Sequence, residues 1–262
     1  MYLTRFFGDH ASPHPCASCG DADRLDFDVR MAFQPIVDAR DRSVFGYEAL
    51  VRTVEGGGAA EILGRVGPQQ LYRFDQTCRV KTIETAARLG LQSRLSINFL
   101  PNAVYEPATC IRLTLAAARR CGFPTDRLVF ETAESEQVRD HAHLTRIFRD
   151  YRSRGFLTAI DDFGAGYAGL GLLAEFQPDV LKLDMALLRG IATDPARQAI
   201  VGGVARIAAE LGSTVIAEGV ETAAEYRALR TLGIALFQGY LFGRPQLEAL
   251  GEVPAATWDA LD

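Results

Sequence analysis

Residues 31–51 read MAFQPIVD, then ARDR, then SVFGYEALV. Both flanks are rich in β-branched and aromatic side chains and read as strands. Between them stand only Ala39, Arg40, Asp41 and Arg42, too few for the crossover helix that a parallel pair requires. The chain therefore opens with an antiparallel pair. Outward from this pair the pattern changes. Strand-like runs recur at 94–100, 127–133, 157–162, 180–184, 213–218 and 235–241, which with the first two makes eight. Helix-like runs fall between most of them, at 69–90, 103–121, 141–154, 167–175, 195–211 and 222–232, with a short one expected from 246. Alternation of this kind implies a parallel sheet, and eight units in 262 residues imply a closed barrel. The expected fold is α/β: a modified TIM (β/α)8 barrel whose first strand runs antiparallel. In 195–211, Asp194 stands at a capping position, Pro195 at the first helical position, and Ile200, Val204, Ile207 and Leu211 form one stripe.

Composition narrows the functional classes. With 48% hydrophobic residues and a net charge of −5, the chain buries a sizeable core and is not disordered. The acidic balance argues against DNA as a partner. No apolar run approaches the ~18 residues of a membrane span, and Met1–His10 lacks a secretory apolar core, so no membrane insertion and cytoplasmic residence are expected. Five scattered Cys do not suggest a disulfide framework. Residues 1–27 read as an appended arm and 28–262 as the barrel. In the arm, Cys16 and Cys19 with His10 and His14 nearby have the spacing of a zinc or redox knuckle, against the plainer reading of idle thiols on an exposed arm. Gly56-Gly57-Gly58 reads as a flexible loop, since no Walker-type Lys or helix start is expected after it.

Chemistry in such barrels gathers at the carboxyl ends of the strands. In order these ends carry Glu48, Asn98, Glu131, Asp161 with Asp162, Lys182 with Asp184, Glu218 with Glu221, and Gln238. Each stands where an apolar residue would otherwise fit. Clustered carboxylates repel one another and are costly to bury unless neutralised. The four His lie outside the strand-like runs, and the 28 cationic residues include only Lys81 and Lys182 as lysines. Oxygen-liganded divalent ions, Mg²⁺ or Mn²⁺, are then the natural counter-charge. Strand parity places Val180, Lys182 and Asp184 on one face and Leu181 and Leu183 on the other. Asp161 and Asp162 are neighbours and would diverge in a regular strand. Both reach one site only if the strand is broken there, which Gly164 and Gly166 favour. Taken singly, each feature has a plainer reading: the acids as helix caps, Lys182 as an ion-pair partner of Asp184, Gln238-Gly239-Tyr240 as a bulge.

Glu48-Ala49-Leu50-Val51-Arg52 resembles the signature of EAL domains, the cyclic di-GMP phosphodiesterases. The resemblance extends in order through Phe33-Gln34-Pro35-Ile36-Val37, Asn98 with Pro101, Glu131-Thr132-Ala133-Glu134 and Asp161-Asp162-Phe163-Gly164-Ala165-Gly166-Tyr167. It continues through Lys182-Leu183-Asp184, Ala217-Glu218-Gly219-Val220-Glu221 and Gln238-Gly239-Tyr240-Leu241-Phe242-Gly243, covering about residues 30 to 247. It implies a Mg²⁺- or Mn²⁺-dependent enzyme, with two ions per site, that opens cyclic di-GMP to linear pGpG. Glu48, Asn98, Glu131 and Asp161 would ligate one metal. Asp161 would bridge to a second, held also by Asp162. Glu218 is the general-base candidate or a further metal ligand, supported by Glu221 and Gln238. Lys182 would contact the attacking water. Arg52 would hold a substrate phosphate, and Gln34, Asp184, Gln238 and Pro245 would line the substrate site.

Glu134 would order the loop after Asp162. The chain departs from the family at Thr132, shifted by one position, and at Ala165 and Ala168-Gly169, where the family favours Thr or Ser and Ser-Ser. These departures lead us to expect that catalysis is kept and loop regulation differs. The resemblance further implies a homodimer. The short chain leaves control to a protein regulator, dimerisation, expression or the arm. Two other readings stand beside this one: a catalytically silent cyclic di-GMP receptor or interaction module, and an unrelated Mg²⁺-dependent barrel of aldolase or enolase type. The third leaves the blocks around Glu48 and Asp161 unexplained.

Overall fold

The computed structural model describes residues 25–134, 141–166 and 169–261. Cys16, Cys19, His10 and His14, the knuckle expected in the arm, lie outside the described residues. Strands β1 (Val29–Asp38) and β2 (Ser43–Thr53) form the expected hairpin, pairing antiparallel from Val29↔Thr53 to Asp38↔Ser43. The chain continues through α1 (Ala59–Leu63), α2 (Leu71–Arg88), β3 (Arg94–Asn98), α3 (Pro107–Cys110), α4 (Arg112–Cys121) and β4 (Leu128–Ala133). Next come α5 (His141–Ser153), β5 (Leu157–Phe163), α6 (Gly169–Glu175), β6 (Val180–Leu183), α7 (Met185–Leu188) and α8 (Pro195–Glu210). The last elements are β7 (Thr214–Ala217), α9 (Ala223–Thr231), β8 (Leu236–Gln238), β9 (Gln246–Leu247) and α10 (Ala255–Asp259). Strands β2 to β8 pair in sequence order, parallel from β2 to β8, and β1 closes the ring antiparallel between β8 and β2. Among the described residues no helix is long and apolar enough to cross a membrane.

Burial follows strand parity. Leu181 and Leu183 face the helices in the main core, while Val180 points into the barrel with Ile36, Val129, Ala159, Ile216 and Leu236 to form an apolar floor. Leu25 and Phe27, the end of the expected arm, pack with Val29, Ile62, Phe74 and Cys78 beneath α1 and α2. No disulfide joins Cys78, Cys110 and Cys121.

Four expectations about elements are corrected. The helix foreseen from 246 is instead β9, antiparallel to β1 at Ala32↔Leu247 and Phe33↔Gln246. The three residues of β8 cover only Ile36 to Asp38, so the returning chain closes the open edge left on β1; the helix falls later, at α10. The helix foreseen over 103–121 breaks at Ile111 into α3 and α4. A short helix does follow the glycine loop, at Ala59. The stripe on α8 faces outward: Val204 is buried, but Ile200 is 53% exposed and Ile207 and Leu211 are also exposed. The buried face uses Val201, Gly202 and Ala208. A Cβ on Gly202 would stand 3.4 Å from Leu232, so the smallest residues set the face of closest approach. The caps themselves form as expected, Asp194 accepting from Ala196 and Arg197 N–H.

Candidate active site

One layer above the floor, the inward side chains turn from mostly apolar to polar and charged. The inward side chains two residues on from the floor are Glu131 on β4, Asp161 on β5, Lys182 on β6 and Glu218 just past β7, joined by Glu48 on β2, Asn98 on β3, Gln238 on β8 and Gln34 on β1. Lys182, 1% exposed, occupies the centre. Its Nζ lies 2.8 Å from Glu218, 3.1 Å from Asp161, and 3.3 Å from both Glu48 and Glu131. Its partners are thus these four carboxylates, and the alternative pairing with Asp184 is not the one formed. Asn98 Nδ2 donates to Glu48 and to Glu131, at 3.0 Å each. Gln238 Nε2 donates to Glu48 Oε2 at 2.6 Å and to Gln34 Oε1 at 3.2 Å, while Gln34 donates to the Gly243 carbonyl. The amide pair fixes the Glu48 carboxylate.

The neighbours Asp161 and Asp162 reach the same site because β5 is bulged. Ile160 pairs with Leu181 and Phe163 with Leu183, so three steps on β5 match two on β6. The extra residue breaks the alternation, and Asp162 takes a left-handed conformation with φ 54°. Beyond the bulge, Glu134 Oε2 accepts from Gly164 N at 2.7 Å and Gly166 N at 3.4 Å, tying down the loop. Gly164 is positioned by need: its φ is +98°, and a Cβ there would meet Leu187 at 2.2 Å.

The electrostatics reflect crowding. Burial drives the Glu131 and Glu218 carboxyls well above the usual range, despite the attraction of Lys182. Burial also acts to raise Asp161, but Lys182, with hydrogen bonds from Glu218, Lys182 and Asp162 N–H, holds it below its usual value. Asp162 is pushed up to about 6 by burial and by the neighbouring charges of Asp161 and Asp184. For Lys182, burial favours the neutral amine, yet the surrounding acids hold it protonated.

Carboxylate oxygens of Glu48, Glu131 and Asp161 lie within 4.8 Å of one another, and so do those of Asp161, Asp162 and Glu218. The two clusters share Asp161. Glu131 Oε2 is buried and accepts no hydrogen bond. An oxygen-only donor set, with five carboxylates around one buried ammonium, fits hard divalent cations.

Other expected residues lie at the rim or turn away. Arg52 is half-buried on the same face of β2 as Glu48, donating to the Val51 carbonyl. Asp184 caps α7, accepting from Ala186 N at 2.8 Å. Glu221 is outside both clusters: its side chain is 44% exposed and paired with Arg189 at 2.6 Å. Pro245 is half-buried in the loop before β9. The sequence reading gave no role to Asp75, whose Oδ1 accepts from Leu100 N, two residues past Asn98. Its signal was an acid and a base, Asp75 and Arg79, four apart within a helix otherwise buried on that face.

The sequence model described as the EAL domain matches residues 24–245. The chain belongs to the EAL domain family. It is 30% identical over 228 residues to the blue light- and temperature-regulated antirepressor BluF of Escherichia coli, covering 87% of this chain and 56% of that protein. It is 27% identical over 258 residues to the probable cyclic di-GMP phosphodiesterase PdeG of the same organism, covering 93% and 49%. The chain thus spans about half the length of these relatives. Among solved structures, it is similar to the cyclic di-GMP-bound form of a standalone versatile EAL protein from Vibrio cholerae. That match has 50% identity and a TM-score of 0.86, and covers 89% of this chain and 99% of that one. The manganese and cyclic di-GMP complex of Klebsiella pneumoniae BlrP1 at pH 9.0 matches at 37% identity and a TM-score of 0.82, covering 88% and 60%. The modified barrel of this EAL domain is the one expected from its opening hairpin.

Proposed function

We propose that this EAL domain hydrolyses cyclic di-GMP to linear pGpG with two divalent ions, Mg²⁺ or Mn²⁺. The observation that carries the reading is the pair of carboxylate clusters joined through Asp161 around one buried lysine. Glu48, Asn98, Glu131 and Asp161 would hold one ion, and Asp161, Asp162 and Glu218 the other. When bound, such a pair acidifies water to a usable nucleophile at neutral pH and offsets charge on the phosphodiester oxygens.

The chain's own groups do the rest. Glu218, whose carboxylate lies beside those of Asp161 and Asp162, takes the proton of the attacking water in its ionised form. The water oxygen bonds to phosphorus, the bond from phosphorus to the ribose 3′ oxygen breaks, and the leaving 3′ oxygen takes a proton from a solvent water. The Lys182 ammonium offsets negative charge developing beside Glu218 and Asp161. Arg52 reaches the non-bridging phosphate oxygens with its fork of N–H donors. Gln34 and Gln238 hold the Glu48 carboxylate in one rotamer, with Pro245 and Asp184 at the substrate rim. A homodimer and a protein regulator are part of the same proposal.

A second reading, a silent cyclic di-GMP receptor or interaction module, draws support from the relative named an antirepressor. One assay separates them: purified protein with cyclic di-GMP and Mn²⁺, products resolved by chromatography. Formation of pGpG that disappears in Glu48→Ala supports hydrolysis. Nucleotide binding without pGpG supports the receptor. Turnover that survives Glu48→Ala overturns the metal assignment.

A further inference from the structure

Beneath the site, on the helix side of β3 and β4, lies a second buried ionic group that the proposed reaction does not use. Asp75 and Arg79, one turn apart on α2, are essentially without solvent exposure, and Arg79 Nη2 lies 2.7 Å from Asp75 Oδ2. Arg79 Nη1 donates to Tyr151 Oη at 2.7 Å. Its guanidinium carbon stands 5.4 Å from the ring centres of both Phe99 and Phe130. Asp75 Oδ1 accepts from Leu100 N at 2.9 Å.

The register gives this group its meaning. Asn98 pairs with Glu131 across β3 and β4, and both point into the site. Their chain neighbours Phe99 and Phe130 point the other way, onto Arg79. Phe99 N donates to the Glu131 carbonyl, which is the last main-chain tie before the chain turns into Pro101. The next donor, Leu100 N, has no strand to pair with, and a carboxylate on α2 supplies its acceptor. An aliphatic pair at 75 and 79 would fill the same volume, and replacing a buried ion pair by apolar groups is often neutral or stabilising. It would leave Leu100 N unpaired and the exit of β3 unanchored.

We propose that Asp75, held by Arg79 and Tyr151, is a positioning residue: it fixes where β3 ends and thereby aims Asn98, and through it Glu48 and Glu131, at the first ion. The inference rests on the two-ion reading above. It extends from the ligands to the groups behind them, whose loss typically weakens metal binding 10–100-fold.

The test measures Mn²⁺ affinity of the full chain by the electron paramagnetic resonance signal of free Mn²⁺, with Tm of the metal-free protein recorded alongside. Asp75→Leu with Arg79→Met removes both charges together. It is expected to bind Mn²⁺ roughly tenfold or more weakly, with Tm within a few degrees of the parent. Asp75→Asn with Arg79→Met keeps an acceptor for Leu100 N and is expected to regain most of that affinity. Tyr151→Phe, which keeps the ring cluster, decides the matter if the double variants do not fold, with an expected loss of about two- to threefold. Parent-like affinity in the apolar double variant, or in Tyr151→Phe when it alone folds, overturns the proposal, as does equal weakening in both double variants. A parent that binds no Mn²⁺ overturns the two-ion reading and this one together. A parent that binds, with variants unchanged, overturns this one alone.

Discussion

The barrel interior holds two layers one residue pair apart, and they obey opposite rules. In the floor, Ile36, Val129, Ala159, Val180, Ile216 and Leu236 meet, with the small hydroxyl of Ser96 on β3 as the polar member of the layer. At the mouth, about 6.6 Å further along the same strands, Glu131, Asp161, Lys182, Glu218 and Gln238 meet with hardly an apolar contact between them. The floor lowers the free energy of the fold by removing hydrocarbon from water. The mouth raises it by burying like charges. Stability and chemistry are thus separated along each strand, and substitutions in the two layers should have inverse signatures.

The largest effect expected is on activity. Glu131→Ala removes an oxygen from the first ion's cluster and should lower kcat for cyclic di-GMP by at least about a thousandfold. Because it also relieves crowding, Tm of the metal-free protein should hold or rise; a large fall in Tm would break the contrast. The counterpart is Ile216→Ala in the floor. It should cost about 2–5 kcal/mol of stability in denaturant titration, with kcat per folded molecule changed only a few-fold.

A third test uses pH. Asp162 is pushed up to about 6, and burial raises Glu131 and Glu218 as well. A carboxyl raised in the folded state stabilises below its unfolded value, and that contribution is lost as pH rises through the folded value. Metal-free protein should therefore lose Tm between about pH 4 and pH 6, and saturating Mn²⁺ should abolish or reverse the fall, since ligands bind deprotonated. Asp161, lowered by Lys182, acts in the opposite sense only at more acidic pH. The smallest effect concerns the rim. Glu221→Gln breaks an exposed pair with Arg189 and should alter stability by less than about 1 kcal/mol, and Mn²⁺ affinity by less than about threefold. A tenfold loss would return Glu221 to the ligand set.

Several features were legible in the chain before folding. Four residues between 38 and 43 dictated the antiparallel opening, and one polar residue at each strand end named most of the site. Where the reading strayed, a longer-range contact decided. The segment at 246 carries no local strand signal; it is a strand because β8 is too short to cover β1. The α8 stripe has helical spacing, but Gly202 and Ala208 set which face approaches the barrel. Asp184 and Glu221 stand at strand ends like the true cluster members, yet one caps α7 and the other meets Arg189.

Sequence alone determined the order of the eight barrel strands, the direction of the first, and the chemical type of the side chain at each mouth position. Those properties are periodic and local, fixed by alternation along a strand and by the length of a connection. Only the tertiary structure decided which acids share an oxygen cluster, that Asp162 joins Asp161 through a bulge, and that Lys182 sits among four carboxylates from four strands. Those outcomes depend on ring closure and register, which bring together residues as far apart as Glu48 and Glu218 and which no local pattern encodes.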